Sequence, residues 1–455
     1  MLRKYLFYAM FLISPIQLEA QQDMQGPSQG KLTFSESLKI GLENSRSLKK
    51  AYLDEESARF QRNEIRGAGL PQLNGYGQYR NFINVFPQAL PGEFFGGTPG
   101  SIDVVAFGVP QSIQAGAQLN QLIFSNSYLV GLKAARTGEE FYKLLSQQTE
   151  EDVIYDISLN YFSTVQMELQ RENLLANIDQ LEGLEKILHA QYKNELGRKV
   201  DLNRVKVNLT SLESELENLD INIERSKGYL NLLMGIPVDT PISLNLEIGE
   251  KDNDLPGFQL EDLDLGRRKD LQILSVQQQL YNYELKNIRA TNQPQLVGFA
   301  DFNTNSFGNS FDWFSQSKSW YQGFLVGLKL DIPIFDGFVN RSKAAQSKVK
   351  ARQLEYDIAM AEESANLDYH SATSKYFNSI HTLNALHENL KLAKEVMEET
   401  ELLYKEGISP LTDVLEAEST LRAAQSNYNN QIIQVRIAQL EILKSTGNIK
   451  NLINL

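Results

Sequence analysis

The chain has 455 residues, a formal net charge of -13 and no cysteine, which excludes disulfides, thiolate metal sites, cysteine nucleophiles and a lipid-modified N-terminal cysteine. An acidic chain with no dense Lys/Arg stripe is a poor ligand for a polyanion, so no nucleic-acid partner is expected. Acidity of this kind suits an exported protein.

Arg3 and Lys4, an apolar run from Tyr5 to Ile16 and small Ala20 before Gln21 together predict an export signal over 1–20, the other reading being a buried N-terminal helix. Beyond Gln21 no run of about 18 apolar residues occurs, so any passage through a bilayer must be made by strands. A helix is predicted over 35–66 and a strand over 70–82. An irregular loop, 81–110, follows, then a strand over 112–124, where Ile113, Ala115, Ala117, Leu119 and Ile123 alternate with polar or small residues and Gln121 is the lapse on the apolar face. Next comes a helical pattern over 125–195 with no proline. It would be about 100 Å long, beyond any globular domain. Val153, Ile157, Phe162, Val165, Leu169 and Leu174 recur at the spacing a coiled pair needs. A helix over 201–234 follows, and then a segment, 236–260, interrupted by Pro237, Pro241 and Pro256.

The second half repeats this order: helix 263–290, strand 295–302, loop 303–320, strand 321–335, helices 338–406 and 410–445. Ile65-Arg66-Gly67-Ala68 leading to Pro71-Gln72-Leu73 is matched by Ile288-Arg289-Ala290-Thr291 leading to Pro294-Gln295-Leu296; Leu122-Ile123-Phe124 parallels Pro333-Ile334-Phe335; Tyr192-Lys193 with Asp201 echoes Tyr404-Lys405 with Asp413. Two structural repeats, 21–246 and 247–455, are therefore expected.

In the last strand Phe324, Val326, Leu328, Leu330, Ile332 and Ile334 alternate with a largely polar set. That is the period of a barrel wall with lipid outside and water inside, although a soluble sandwich also alternates. Four strands cannot close a barrel, and an open edge in hydrocarbon costs several kcal/mol per unpaired backbone group. Closure demands further copies, two, three or four giving eight, twelve or sixteen strands. Both loops between paired strands are rich in aromatics, with Phe82, Phe86, Phe94 and Phe95 in one and Phe307, Phe311, Trp313, Phe314 and Trp320 in the other. They are candidates for a membrane-interface girdle, Trp313, Trp320, Phe94 and Phe95 foremost, or for a cluster that pins the loops.

Leu32-Thr33-Phe34-Ser35-Glu36-Ser37-Leu38 followed by Asn44, Leu70-Pro71-Gln72-Leu73, Pro333-Ile334-Phe335-Asp336-Gly337, and Tyr404-Lys405-Glu406-Gly407-Ile408-Ser409 running into Asp413-Val414-Leu415-Glu416-Ala417 resemble, in order, the TolC-like outer-membrane efflux proteins. The resemblance implies a homotrimer with a twelve-stranded barrel, four strands from each protomer, in outer-membrane lipid. It implies a periplasmic α-helical coiled-coil barrel below it, with 236–260 and the C-terminal tail in an equatorial belt. Such a protein is a passive exit duct, worked by an inner-membrane transporter through a periplasmic adaptor.

By the same resemblance the helical tips carry the gate. Asp413 and Glu416, three apart on one helix face, would form a ring that holds cations; the other reading is that Asp413 only favours a helix N-terminus, with Ser409 as N-cap and Pro410 as N1. Tyr404 and Asp201 resemble a hydrogen-bonded latch, and Gly407, Ser409 and Gly197 the hairpin-tip contacts for the adaptor. Position 409 is serine where some relatives carry a basic residue, and Gly197 stands two positions later than Gly407 predicts. The four histidines form no HExxH pair, and no phosphate loop or nucleophile elbow is present, so no enzyme and no cofactor are expected. The alternative function is a secreted periplasmic coiled-coil scaffold without a barrel.

Overall fold

The computed structural model describes residues 31–106, 108–246, 255, 258–313 and 319–453; the export signal at 1–20, Pro256 and Phe314 lie outside them. Two helices dominate, α3 (Asn126–Lys193) and α6 (Val339–Lys405), of 68 and 67 residues, each about 100 Å long. Ser125 caps α3 by accepting the Tyr128 N–H at 3.3 Å. Shorter helices lie along them. α2 (Arg46–Gly67) follows the start of α3, tied by Arg62 to Glu139 at 2.6 Å and by the Ser146 hydroxyl to Glu55 at 2.8 Å. α4 (Lys199–Met234) returns along the rest of α3, with Lys227 on Glu168 at 2.8 Å. Where α4 ends, Gly235 (φ 77°) abuts the Asn44 carbonyl, and a Cβ there would lie 2.2 Å from that oxygen; only glycine permits the approach.

α5 (Lys269–Ala290) and α7 (Leu411–Ser445) are placed along α6 in the same manner, with Lys375 on Glu441 at 2.6 Å, and Gly447 (φ 72°) closes on the Arg267 carbonyl. α3 also touches α5 and α7. The lateral order is thus α2 and α4, then α3, then α5 and α7, then α6. The helix expected over 35–66 is two helices, α1 (Phe34–Asn44) and α2, because Ser45 (φ -51°, ψ 124°) leaves the helical region and is buried against the junction. The helix expected from 263 begins at Lys269, since Arg267 engages Glu261 and Asp264 in a turn ahead of it.

The largest buried cluster lies at mid-length, where Leu38 of α1, Ile154 and Ile157 of α3, Met234 of α4 and Leu440 of α7 meet Ile242, Leu244 and the C-terminal Ile449 and Leu452. Leu32 forms a parallel bridge with Leu244, and the Tyr161 hydroxyl donates to the carbonyls of Leu32 and Asn245, both at 3.2 Å. The segment after α4 and the C-terminal tail therefore clasp the helices at one level.

Beyond the helix ends stands an antiparallel sheet of order β1 (Gln72–Asn81), β4 (Gln111–Phe124), β5 (Gln295–Gly308), β6 (Tyr321–Asp331). β5 runs to Gly308, past the expected 302, and β6 stops at Asp331, ahead of Pro333, which offers no N–H to a ladder. The loop expected to be irregular over 81–110 holds a second ribbon, β2 (Pro87–Pro91) on β3 (Ile102–Ala106). Register brings Leu73, Leu119, Ala300 and Val326 into one row, and Gly75, Ala117, Phe302 and Phe324 into the next. These rows lie on an apolar face that is largely exposed in β6. The opposite face carries Asn74, Gln118, Asp301 and Asn303. Gln121, the lapse on the apolar face, donates to the Gly69 carbonyl at 2.9 Å and so satisfies a chain end at the sheet's base.

Candidate functional site at the helical tips

Both hairpin tips are built by the same chain reversal. At the end of α6 the Ile408 N–H reaches the Leu403 carbonyl at 2.9 Å and the Gly407 N–H the Tyr404 carbonyl at 2.9 Å, a Schellman closure with Gly407 left-handed at φ 73°. At the end of α3 the Leu196 N–H reaches the Gln191 carbonyl at 2.9 Å and the Glu195 N–H the Tyr192 carbonyl at 3.0 Å, but the left-handed residue is Glu195 at φ 61°. Gly197 is therefore not the turn glycine of the first tip. It occupies the place of Ser409, and the reversal keeps its length in both tips. A left-handed non-glycine residue costs about 1–2 kcal/mol, partly offset by glycine's own entropy. Glu195→Gly is accordingly expected to stabilise the first tip by about 0.5–1 kcal/mol, read as slower amide exchange at the end of α3; unchanged or faster exchange would refute the strain.

The two tips touch through apolar side chains that the sequence reading did not single out. Leu411, 3% exposed, leaves the α6–α7 hairpin to join Leu188, Leu202 and Val205 of the α3–α4 hairpin, with Leu415 and Tyr404 packed beside it. Tyr404 also touches the second cluster, Met397, Val414 and Ala417. Their signal was faint: the apolar residue one step after a helix-starting proline, facing inward in the first turn. Leu196 and Ile408, by contrast, stand 82% and 72% exposed at the outermost points of the two turns.

Among the described residues Tyr404 and Asp201 are near neighbours but are not hydrogen-bonded to each other. The Asp201 carboxylate accepts from the Arg198 guanidinium at 2.9 Å, and burial, then the Asp201 charge, raise the Tyr404 phenol above its ordinary pKa. Asp413 is the third residue of α7 and Asp201 the third of α4, both placed to favour a helix N-terminus. Pro410 is the N-cap, one position later than expected, and Leu411 is N1; Ser409 makes no cap, and its hydroxyl is buried without a partner. Asp413 and Glu416 are both exposed, and Thr412 donates to Asp413 at 3.3 Å. A groove of about 460 Å3 separates α4 from α7 here, lined by Val200, Asn203, Arg204, Val207, Thr412 and Leu415.

At the sheet end the aromatics divide. Trp313 is 1% exposed and stands edge-on to Tyr79 at 6.2 Å, so it pins the loop to β1, the second of the two readings of these aromatics, and offers no ring to a girdle. Trp320, Phe94 and Phe95 are exposed. At the opposite end of the sheet Phe335 and Phe338 are exposed and meet edge-on at 5.4 Å.

Residues 261–448 match the family model described as outer membrane efflux protein. The chain is similar to the outer membrane protein TolC of Salmonella enteritidis, 22% identical over 419 residues that cover 88% of this chain and 79% of the relative. It is 25% identical to TolC of Vibrio cholerae over 154 residues, a match that spans only 34% of that relative's length and 34% of this chain. In fold it is similar to the outer membrane protein VceC of Vibrio cholerae, with a TM-score of 0.71 at 15% identity, covering 91% of this chain and 96% of the other.

Proposed function

We propose, from the premise that this chain belongs to the TolC-like outer-membrane efflux family and resides in the outer membrane with a periplasmic extension, that it is the passive exit duct of a tripartite efflux or secretion system. The observation that carries the reading is the four-stranded sheet with one apolar and one polar face and an open edge at each of β1 and β6. A scaffold in water would gain nothing from such a face. From Tyr321 to Asp331, the ten steps of β6 at about 3.3 Å each and a tilt near 40° span about 25 Å, the height of an outer-membrane apolar band. Trp320, Phe94 and Phe95 at its outer end and Phe335 and Phe338 at its inner end suit the headgroup levels.

Three copies close a twelve-stranded barrel by joining the β1 edge of one to the β6 edge of the next, over a periplasmic tunnel of helices. Two repeats, 21–246 and 247–455, account for the paired order of elements, the matching tip reversals and the matching glycine contacts of Gly235 and Gly447. The tip is the gate. Asp413 and Glu416 line it as a cation-holding ring, and Tyr404 beside Asp201 keeps the two hairpins together by packing. Gly407, Ser409 and Gly197, with exposed Leu196 and Ile408, meet the periplasmic adaptor, which links the duct to an inner-membrane transporter.

Tyr404→Phe with Asp201→Ala is expected to raise single-channel conductance in planar bilayers, because it strips the hydroxyl and the carboxylate from the place where the two hairpins pack. Purified protein that stays monomeric and soluble without detergent, and forms no channel, would overturn the duct itself. A wild-type channel whose conductance the double variant leaves unchanged would remove only the latch.

A further inference from the structure

The polar face of the sheet carries a pattern that decides how wide the duct is. One row crosses all four strands as Tyr76, Gly116, Asn303, Gly323, large and small in alternation. Two rows away Phe299 stands opposite Gly327. In each case the large side chain lies down over the glycine beside it. A Cβ on Gly327 would sit 2.6 Å from the Phe299 ring, one on Gly323 2.9 Å from the Asn303 amide oxygen, and one on Gly116 2.6 Å from the Phe302 carbonyl of β5 and 2.9 Å from the Tyr76 ring. The Tyr76 phenol crosses β4 above Gly116 and donates to the Asp301 carboxylate on β5 at 3.0 Å. That carboxylate also accepts from the Asn303 amide at 2.6 Å, and Asn305 donates to Asn303 at 2.8 Å. The Tyr76 ring is thus held flat along the wall by glycine beneath and a hydrogen bond at its rim, and the Phe299 ring lies over Gly327.

We infer that Gly116, Gly323 and Gly327 set the calibre of the barrel, by giving Tyr76, Asn303 and Phe299 of neighbouring strands a place to lie against the wall and out of the bore. The inference rests on the duct reading, in which the polar face lines the lumen, and adds what that lumen admits: solutes too wide for a bore with those side chains erect. Alternating large and small residues is how a barrel interior is fitted to its radius. Twelve tilted strands about 4.8 Å apart give a backbone radius of about 12 Å, so a ring standing up from each of three copies would occupy a large share of the opening.

The test uses intact cells and the absence of native cysteine. Lys329→Cys puts a reporter one row below Gly327 on the same face, at a side chain 67% exposed. In the parent, a small membrane-impermeant maleimide and one carried on a bulky polymer, both added from outside, are expected to label it. With Gly327→Val the small reagent labels as before while the polymer reagent slows on the order of tenfold, as a narrower pore requires. Adding Phe299→Ala to Gly327→Val restores polymer labelling, because the displaced ring is gone. If Gly327→Val does not reach the outer membrane, Gly327→Ala makes the same test, its methyl already meeting the ring. Polymer labelling unchanged by the glycine substitutions, or not restored by Phe299→Ala, would overturn the inference and leave the duct standing. A parent reporter that even the small reagent fails to reach would overturn the duct reading itself.

Discussion

Val326→Arg is expected to prevent stable assembly in the outer membrane, whereas Leu325→Arg, one residue away, is expected to be tolerated. Val326 lies in mid-strand on the apolar face, opposite Ala300 and in the row of Leu119 and Leu73; Leu325 lies on the polar face, opposite Asp301. Both are well exposed in a single chain, so burial within the protomer does not distinguish them. The difference arises only if lipid covers one face and water the other. An arginine at the bilayer midplane of a barrel costs about 2–4 kcal/mol per copy, and a closed assembly would incur that cost in every copy. Opposite the Asp301 carboxylate an arginine instead gains a partner. The measurement is the yield of heat-modifiable oligomer in the outer-membrane fraction, and equal yields for the two variants would refute the two-faced wall.

Leu411→Ala is expected to open the periplasmic end more than loss of the Tyr404 and Asp201 contact does. Leu411 is the one fully buried side chain that α7 contributes to the α3–α4 cluster. Truncating a buried leucine costs about 2–5 kcal/mol, whereas Tyr404→Phe keeps the packed ring and breaks no hydrogen bond to Asp201. The loss falls on the contact between hairpins and spares the packing inside each, where Leu212, Leu219 and Ile223 remain in one and Met397, Val414 and Ala417 in the other. Single-channel conductance should therefore rise severalfold, while Leu402→Ala, at an exposed position on α6, leaves it unchanged. Equal conductance in the two variants would show that the tip is held elsewhere.

The long helices were legible because their signals are local and repeated. A 68-residue stretch without proline and with an apolar stripe has no other stable reading. Strand alternation was legible where one face is evenly apolar, as in β6, and less so in β5, whose expected end at 302 missed the polar run Asn303, Thr304, Asn305. Those residues pair because β4 and β6 flank them, which is information from other parts of the chain. The break at Ser45 was hidden for the same reason: its cause is the end of α4 arriving at Asn44, far along the sequence. At the tip, Glu195 was legible in principle, since it stands three residues after Tyr192 as Gly407 does after Tyr404. The glycine two positions later drew attention away from it.

By itself the sequence determined the periodicities, the repeated order of elements, the lack of any thiol chemistry and the need for strands if a bilayer is to be crossed, all of which depend on near neighbours along the chain. Only the tertiary structure decided which residues meet: that Leu411 belongs to the opposite hairpin, that Trp313 is buried, and that glycine faces aromatic across the strands. Those choices depend on register and on the crossing of distant helices, where a shift of one residue moves a side chain to another face. No local pattern encodes that shift.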